Sequence, residues 1–513
     1  MKKIAPLFLL FASLKLSAQL PEDALRTSWN APSGTARQQA IGGAMGSLGG
    51  EISATFVNPA GLGFYKTSEI VLSPGFRFLS DKSSYRGTNA SGNTASNFNM
   101  GTSGFIFSGS VHNNHSLAVS IAVNRTANFN SDVLYKGQNN YSSYAEQYAI
   151  EFANSGLSIN DALGGTQVSY GTRMALYTYL IDTATVNGSP QVIAQPVKNQ
   201  GFLLNQQNQF HSRGGITEIA IGVANNSNDK LYLGGTLGFP IMNYKRNLTF
   251  TETDATGNAN NDFASSVYSE SYSTKGGGFN LKLGMIYKLS DALRVGVAIH
   301  TPSVLVLKDE IHAKMITNTE SYAGTISMSS DSLDYYTQTT ANQISYVLIT
   351  PWHFLLSASY LFGAGIEDVG KQKGFITADV EYVTNRSSRY SEGGYSSDDA
   401  SLDYGPLNGA IKDSYKGNFN FKVGGEMKFN TFMGRLGFAY STSPYKQSAL
   451  KADRMYVSGG LGYRNKGMFI DLAYIQNIIN DVNFPYRLAD KANTFANLKD
   501  NGGTVMVTVG MKF

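Results

Sequence analysis

The chain contains no cysteine. That absence excludes a disulfide framework, thiolate chemistry and the lipidated cysteine on which a lipoprotein anchor depends. Charge is also scarce. Asp, Glu, Lys and Arg make up 15% of the residues, where soluble domains carry roughly 25%. The formal net charge is only +4 over 513 residues, and no basic stripe offers a surface to nucleic acid. Long apolar runs are missing too. Beyond the first eighteen residues none approaches the roughly 20 residues that a transmembrane helix needs. A mean hydropathy of −0.18 would disqualify a helical membrane protein. It is normal for a membrane β-barrel, in which lipid-facing and lumen-facing residues alternate.

Catalytic and metal-binding constellations are likewise missing. The six histidines (His112, His115, His211, His300, His312 and His353) are scattered. No Ser–His pair or nucleophile–base–orienter set can be assembled from the sequence, so the chain is not expected to be an enzyme. His112 and His115 share a short turn, which reads as a solvated turn rather than a metal site. Asp398, Asp399 and Asp403 form an acidic stretch without the spacing of a calcium loop. The glycines of 42–50 neither follow a strand nor open a clear helix, which weakens a phosphate-cradle reading. No metal and no cofactor are expected.

What is abundant is tyrosine (30), phenylalanine (29) and glycine (54). The N-terminus carries Lys2 and Lys3, an apolar stretch from Ile4 to about Leu14, and Ser17-Ala18-Gln19. This is the layout of a secretory signal peptide spanning 1–18.

After it, the dominant pattern has a period of two. In the last segment Val505, Val507, Val509, Met511 and Phe513 share one face of a strand, opposite Thr504, Thr508 and Lys512. Similar segments fall near 68–79, 100–111, 116–128, 215–224, 230–250, 278–288, 293–312, 352–362, 373–384, 418–429, 432–442, 455–464, 467–478 and 503–513. Every second connection is short and turn-like, such as Ser290-Asp291 or Asn430-Thr431. The others are long and polar: 80–99, 129–214, 251–277, 313–351, 385–417, 443–454 and 479–502. Short turns at one end and long loops at the other mark an outer-membrane barrel. The expected fold is all-β: a transmembrane antiparallel barrel of about fourteen strands over 68–513.

Two regions break the pattern. Residues 19–67 are Gly-rich and end in Asn58-Pro59-Ala60-Gly61-Leu62, which is turn chemistry; they suit an N-terminal hatch inside the lumen. Residues 140–182, in the long loop 129–214, read partly as helix. There Tyr141, Tyr144, Tyr148 and Phe152 are spaced along one helical face, with an apolar patch from Met174 to Ile181. That surface either receives a hydrophobic ligand or packs over the barrel mouth. Charges at Glu218, Lys282, Arg294, Asp379, Glu381, Lys422, Glu426, Arg435, Arg464 and Asp471 fall on the lumen face. Their mixed signs suggest pairs that fill the lumen and hold the hatch, since unpaired charges there would be costly.

Arg37-Gln38-Gln39-Ala40-Ile41-Gly42-Gly43-Ala44, followed by Asn58-Pro59-Ala60-Gly61-Leu62, resembles the N-terminal hatch of the FadL-type outer-membrane transporters of long-chain fatty acids and hydrocarbons. The Asn-Pro-Ala motif of that family matches Asn58, Pro59 and Ala60. Leu231 to Gly238 and the strand pair 278–300 are similar as well, and Phe513 resembles the terminal signal read by the barrel-assembly machinery. In layout the resemblance covers most of the mature chain; in motifs it is confined to the hatch and a few strands. It implies a fourteen-stranded barrel in the bacterial outer membrane and a gating hatch that includes Asn58 to Leu62. It also implies a capture site for a small hydrophobic ligand beneath the long external loops, for which Tyr144, Tyr148 and Phe152 are the candidates, and exit sideways through a kinked strand. The kink cannot be placed in the sequence, and no carboxylate-contacting residue of the family aligns. The barrel shuttles of the type IX secretion system carry a similar Gly-rich segment and Asn-Pro-Ala-Gly-Leu. They imply an alternative: a non-transporting subunit with partners in an outer-membrane secretion or assembly complex. The long loop 129–214 and the strand count favour the transporter.

Overall fold

A computed structural model describes residues 20–29, 32–112, 115–186, 188–337, 342–363, 373–393 and 403–513. The segment 1–18 expected to be a signal peptide, the turn between His112 and His115, and Asp398 and Asp399 lie outside the described residues. Fourteen strands close into one antiparallel barrel. They are β1 (Glu69–Leu72, continued by Pro74–Tyr85), β2 (Ala95–Met100 and Ser103–His112), β3 (His115–Asn128 and Ser131–Asn139), β4 (Leu204–Ser227), β5 (Leu231–Asp254) and β6 (Ser265–Lys288). Then come β7 (Leu293–His300 and Val304–Asn318), β8 (Gln343–Ile349 and His353–Phe362), β9 (Gly374–Val383 and Arg389–Glu392) and β10 (Asn418–Phe429). The last four are β11 (Phe432–Ser441), β12 (Arg454–Asn465), β13 (Met468–Asn483) and β14 (Ala496–Lys512). β14 pairs back onto β1 from Glu69↔Lys512 to Leu72↔Val509. Ser68 and Phe513 exchange both backbone hydrogen bonds, at 3.1 and 3.0 Å, so the final residue completes the closure.

The alternation expected from sequence is the alternation of faces. Val505, Val509 and Met511 of β14 are exposed on the outside, while Met506 and Thr508 are buried inside. All round the barrel the exposed outer face is apolar and ends in aromatic residues. Tyr287, Phe362, Phe429, Phe432 and Tyr463 stand near the short-turn end, and Phe78, Phe239, Phe279, Trp352 and Phe419 near the other. An apolar belt flanked by aromatic girdles is the lipid-facing surface of a membrane barrel; no helix among the described residues is long and apolar enough to cross a membrane. The tight turns use left-handed residues (Asn228, Asp229, Asn430 and Lys466, φ between 47° and 57°), as two-residue hairpins require.

All fourteen sequence segments fall on barrel strands, but several strands run further than expected. β4, β5 and β6 are 24 residues each, where the sequence pattern covered only 215–224, 230–250 and 278–288. Much of what read as long loop is strand above the belt. There the outward residues are polar (Lys245, Asn247 and Thr249 are exposed), so the alternation loses its apolar half while the ladder continues.

The N-terminal segment lies in the lumen as α1 (Pro21–Ser28), α2 (Ala36–Ala40), α3 (Ala54–Val57) and a 3-10 turn (Pro59–Phe64). It is seated by size and by charge. An added Cβ at Gly222, Gly234, Gly284, Gly296, Gly424 or Gly460 of the wall would overlap Leu62, Pro59, Asn58, Gly46, Ile41 or Ala40 respectively. These wall glycines are cut-outs for the hatch backbone. Most of the lumen charges pair as the mixed signs suggested, whereas Arg294 lies over the Phe64 ring, 4.6 Å from its centroid. Arg37 Nε and Arg435 Nε both donate to Glu426 Oε2 (3.0 and 2.7 Å), Arg435 Nη1 to Asp471 (2.6 Å) and Lys422 to Glu381 (3.0 Å). Lys282 pairs with Glu218. Asp379 accepts from the backbone N–H of Met45 and Gly46, each at 3.0 Å. Buried charge is expensive unless matched, and here the matching ties hatch to wall.

Candidate functional site

Asn58 is fully buried at the bottom of the lumen. Its Nδ2 donates to Gly46 O (2.6 Å), Met285 O (3.3 Å) and Val297 O (3.3 Å), and its Oδ1 accepts from Ala60 N (3.2 Å). Asn58 caps the turn that Pro59 opens, and Ala60, Gly61 and Leu62 are buried beside it. Asn58 thus ties the hatch to strands β6 and β7, while Pro59 and Leu62 pack on β5 and β4 at Gly234 and Gly222.

Above the hatch lies a cavity of about 880 Å³. Its floor is α1 and Trp29, whose ring lies 3.5 Å beneath the Arg454 guanidinium. Its roof is the cap built by residues 140–182 and the last external loop. The cap contains α4 (Ala145–Ser155), α5 (Ile159–Gly164) and α6 (Tyr170–Tyr177). Tyr144 and Tyr148 line the cavity with Phe210, Leu248 and Tyr268. Phe152 does not: one turn further on, it is buried in the cap's own core with Met174, Ala175, Leu176 and Ile181. The apolar patch 174–181 thus packs over the barrel mouth. Tyr141 stands outside the helix, 41% exposed. The upper lip of the cavity reaches the surface at Asn154 and Gln167, both exposed.

The cap is pinned by a group the sequence did not single out. Glu252, near the end of β5 and well above the lipid belt, is fully buried. It accepts from Ser143 Oγ (2.7 Å), Tyr144 N (2.9 Å) and Gln206 Nε2 (2.6 Å). Burial pushes its carboxyl up to about 7, against the pull of these donors.

The cavity also meets a fault in the wall. The upper part of β2 (Ala95–Met100) pairs with β1 alone. Its lower part pairs with β3, but only up to Ser103↔Val123. Above that point Asn124 to Asn128 of β3 pair with β4 only. Between Ala95–Met100 and Asn124–Asn128 the ladder is interrupted, and a side-chain bond, Asn128 Nδ2 to Asn97 Oδ1 at 2.9 Å, bridges the gap. Asn99, Arg125, Asn128 and Asn130 line the cavity at this window, and Phe76 and Phe98 face lipid beside it. Ser73-Pro74 and Gly101-Thr102, which break β1 and β2 at the same height, are its only sequence signal. The axial route is different. Below Trp29 a cavity of about 200 Å³ is walled by Lys282, Lys422, Glu218, Glu381 and His353, a surface hostile to an apolar solute.

No known protein-family model and no curated protein matches the sequence. Solved structures do. A FadL homologue of Pseudomonas aeruginosa aligns with 95% of this chain and 100% of its own, at 13% identity and a TM-score of 0.56. The P. putida toluene transporter TodX aligns over 94% and 99%, at 13% identity and 0.52. The monoaromatic hydrocarbon channel CymD aligns over 94% and 99%, at 12% identity and 0.50. The chain thus shares the fold of these channels, a β-barrel with a lipid-facing belt and a plugged lumen. More narrowly, it has the FadL-type fold, as the hatch motif suggested.

Proposed function

We propose that the chain is a passive outer-membrane channel for small hydrophobic molecules such as long-chain fatty acids or hydrocarbons. The interrupted ladder between β2 and β3, opening from the capped cavity toward the lipid belt, carries this reading. A ligand enters beneath the cap, where Tyr144 and Tyr148 shield it; burial contributes about 25 cal/mol per Å² of apolar surface. Passing straight down would forfeit that gain among the paired charges around Lys282 and Glu381. Leaving through the window is a short passage past Asn99, Asn128 and Asn130 to the lipid beside Phe76 and Phe98. Asn58 to Leu62 hold the hatch that closes the axial path, so gating falls to groups above them. Similarity to the toluene and monoaromatic hydrocarbon channels supports the same direction.

The test is uptake into liposomes of a long-chain fatty acid and of a polar sugar, against empty liposomes. Faster uptake of the fatty acid alone supports the channel. The double variant Asn97→Cys/Asn128→Cys, in a chain without other cysteines, should lose that uptake when oxidised and regain it when reduced. No difference for either solute overturns the transport reading and leaves the secretion-complex subunit as the alternative.

A further inference from the structure

The outer face of the barrel carries four cations on neighbouring strands, none of which forms an ion pair with an acid among the described residues. Arg213 of β4 is directly opposite Lys245 of β5. Lys275 of β6 is opposite Asn243, and so diagonal to Lys245. It is also directly opposite Lys308 of β7. All four side chains are exposed and face outward. Like charges facing each other across a ladder are destabilising, yet none of the four has an acidic partner within 4.0 Å among the described residues. Arg213 Nε instead donates to His211. The outward acid nearby, Glu310, is engaged with His312 at 3.4 Å.

Their height is as telling as their sign. On β5 the last exposed apolar residue is Ile241; on β6 it is Phe279 and on β7 Val306. Lys245 and Lys275 stand four residues above Ile241 and Phe279, and Lys308 stands two above Val306. A strand rises about 3.3 Å per residue and barrel strands tilt by roughly 40°, so the ammonium groups sit about 5–10 Å above the hydrocarbon edge. Phosphate groups of membrane lipids occupy that layer. The arrangement recurs on the far side of the wall, where exposed Lys82 and Lys499 are directly opposite each other, with Phe78 the last exposed apolar residue below Lys82.

We propose that Arg213, Lys245, Lys275 and Lys308 form a binding shelf for the phosphates of the glycolipid in the outer leaflet. The acyl chains of the lipid lie against Phe239, Ile241 and Phe279 below. Its phosphates bridge the facing cations, which removes the repulsion and provides charge-assisted hydrogen bonds. The site is on the exterior and does not depend on the transport reading.

The test measures binding of diphosphoryl lipid A to the purified full chain in neutral detergent, with dephosphorylated lipid A and inorganic phosphate as comparison probes. The variant is Arg213→Gln/Lys245→Gln/Lys275→Gln/Lys308→Gln. A charge-matched control neutralises Lys230, Lys412, Lys446 and Lys466, which are exposed elsewhere. Wild type and control should bind the diphosphoryl lipid alike, the quadruple variant at least about tenfold more weakly, and the dephosphorylated lipid should bind wild type about tenfold more weakly. Inorganic phosphate should not displace the lipid. Unchanged affinity in the variant, equal affinity for dephosphorylated lipid, or displacement by phosphate would each overturn the proposal. Folding is followed by the heat-dependent gel mobility of the barrel. If the quadruple variant does not fold, Lys275→Gln and Lys308→Gln singly should each weaken binding about two- to threefold.

Discussion

Asn58 makes four hydrogen bonds at a position with no access to water. Removing its amide would leave Gly46 O and Ala60 N without that partner, at a cost of about 1–3 kcal/mol per orphaned group. Asn58→Ala is therefore expected to lower the temperature at which the gel mobility changes, while the barrel still assembles, because the strand ladders are untouched. The motif was legible because turn chemistry is local. Its counterpart was not: Gly284 and Gly234, which make room for Asn58 and Pro59, lie more than a hundred residues away. Nothing in a strand sequence distinguishes a glycine that seats a hatch from one that faces lipid, such as Gly434, where an added Cβ would meet nothing within 4 Å. Glu252 was hidden for the same reason, since its partners come from two distant segments. Its carboxyl stands at about 7, above the ordinary value of about 4.3. An acid raised in the closed state opposes closure increasingly as pH climbs from its ordinary value to the raised one, and no further beyond. Hydrogen exchange in residues 140–182, corrected for intrinsic rates, should show protection falling between about pH 4.5 and 7 and then levelling. Glu252→Gln should abolish that slope. A slope of the opposite sign would refute the assignment.

At the scale of elements, α4 and the residue before it serve two roles at once. Tyr144 and Tyr148 line the cavity and are also buried in the packing of the cap, whereas Phe152 belongs to that packing alone. The helical spacing of aromatics revealed a face but could not show that the face is shared between a cavity and a core. Tyr148→Ala should weaken ligand binding several-fold and also lower the cap's exchange protection, since Tyr148 is buried in the same cluster. Phe152→Ala should loosen the cap by about 3–5 kcal/mol without removing a side chain from the cavity lining. Trp29 reports on the first effect directly. The chain has two tryptophans; Trp29 lines the cavity and Trp352 is exposed on the outer face. In a Trp352→Phe background, a brominated ligand should therefore quench Trp29. Equal loss of quenching in both variants would mean that the cap acts only as a unit. Strand identity was legible element by element, because apolar alternation exists wherever one face meets lipid. The window was not, since it depends on which neighbour a strand abandons, and the irregularity at Thr126, which breaks the alternation of Asn124 to Asn128, does not name the missing partner.

For the molecule as a whole, the bilayer imposes an apolar outer face on each strand, and the strand number followed from counting the segments that carry it. What the bilayer does not impose is the filling of the lumen, and there the hatch and the wall were shaped together. Wall glycines admit the hatch backbone, and Arg37, Met45 and Gly46 of the hatch satisfy Glu426 and Asp379 of the wall. Each half therefore leaves the other incomplete. A chain lacking residues 20–67 should still close its barrel through the β1–β14 pairing, since that ladder is independent of the hatch. It would also expose a lumen lined by Glu218, Lys282, Asp379, Glu381, Glu426 and Arg435, and water would enter to solvate them. In planar bilayers the shortened chain should conduct ions steadily, and the full chain should stay silent. It should pass the polar sugar that the full chain is expected to exclude, and retain the proposed hydrophobic uptake through the window only insofar as Trp29 and α1 are dispensable as a floor. Silence from a folded, hatch-free barrel would mean that the paired charges alone seal the lumen, and that the hatch supports the cavity rather than closing the pore.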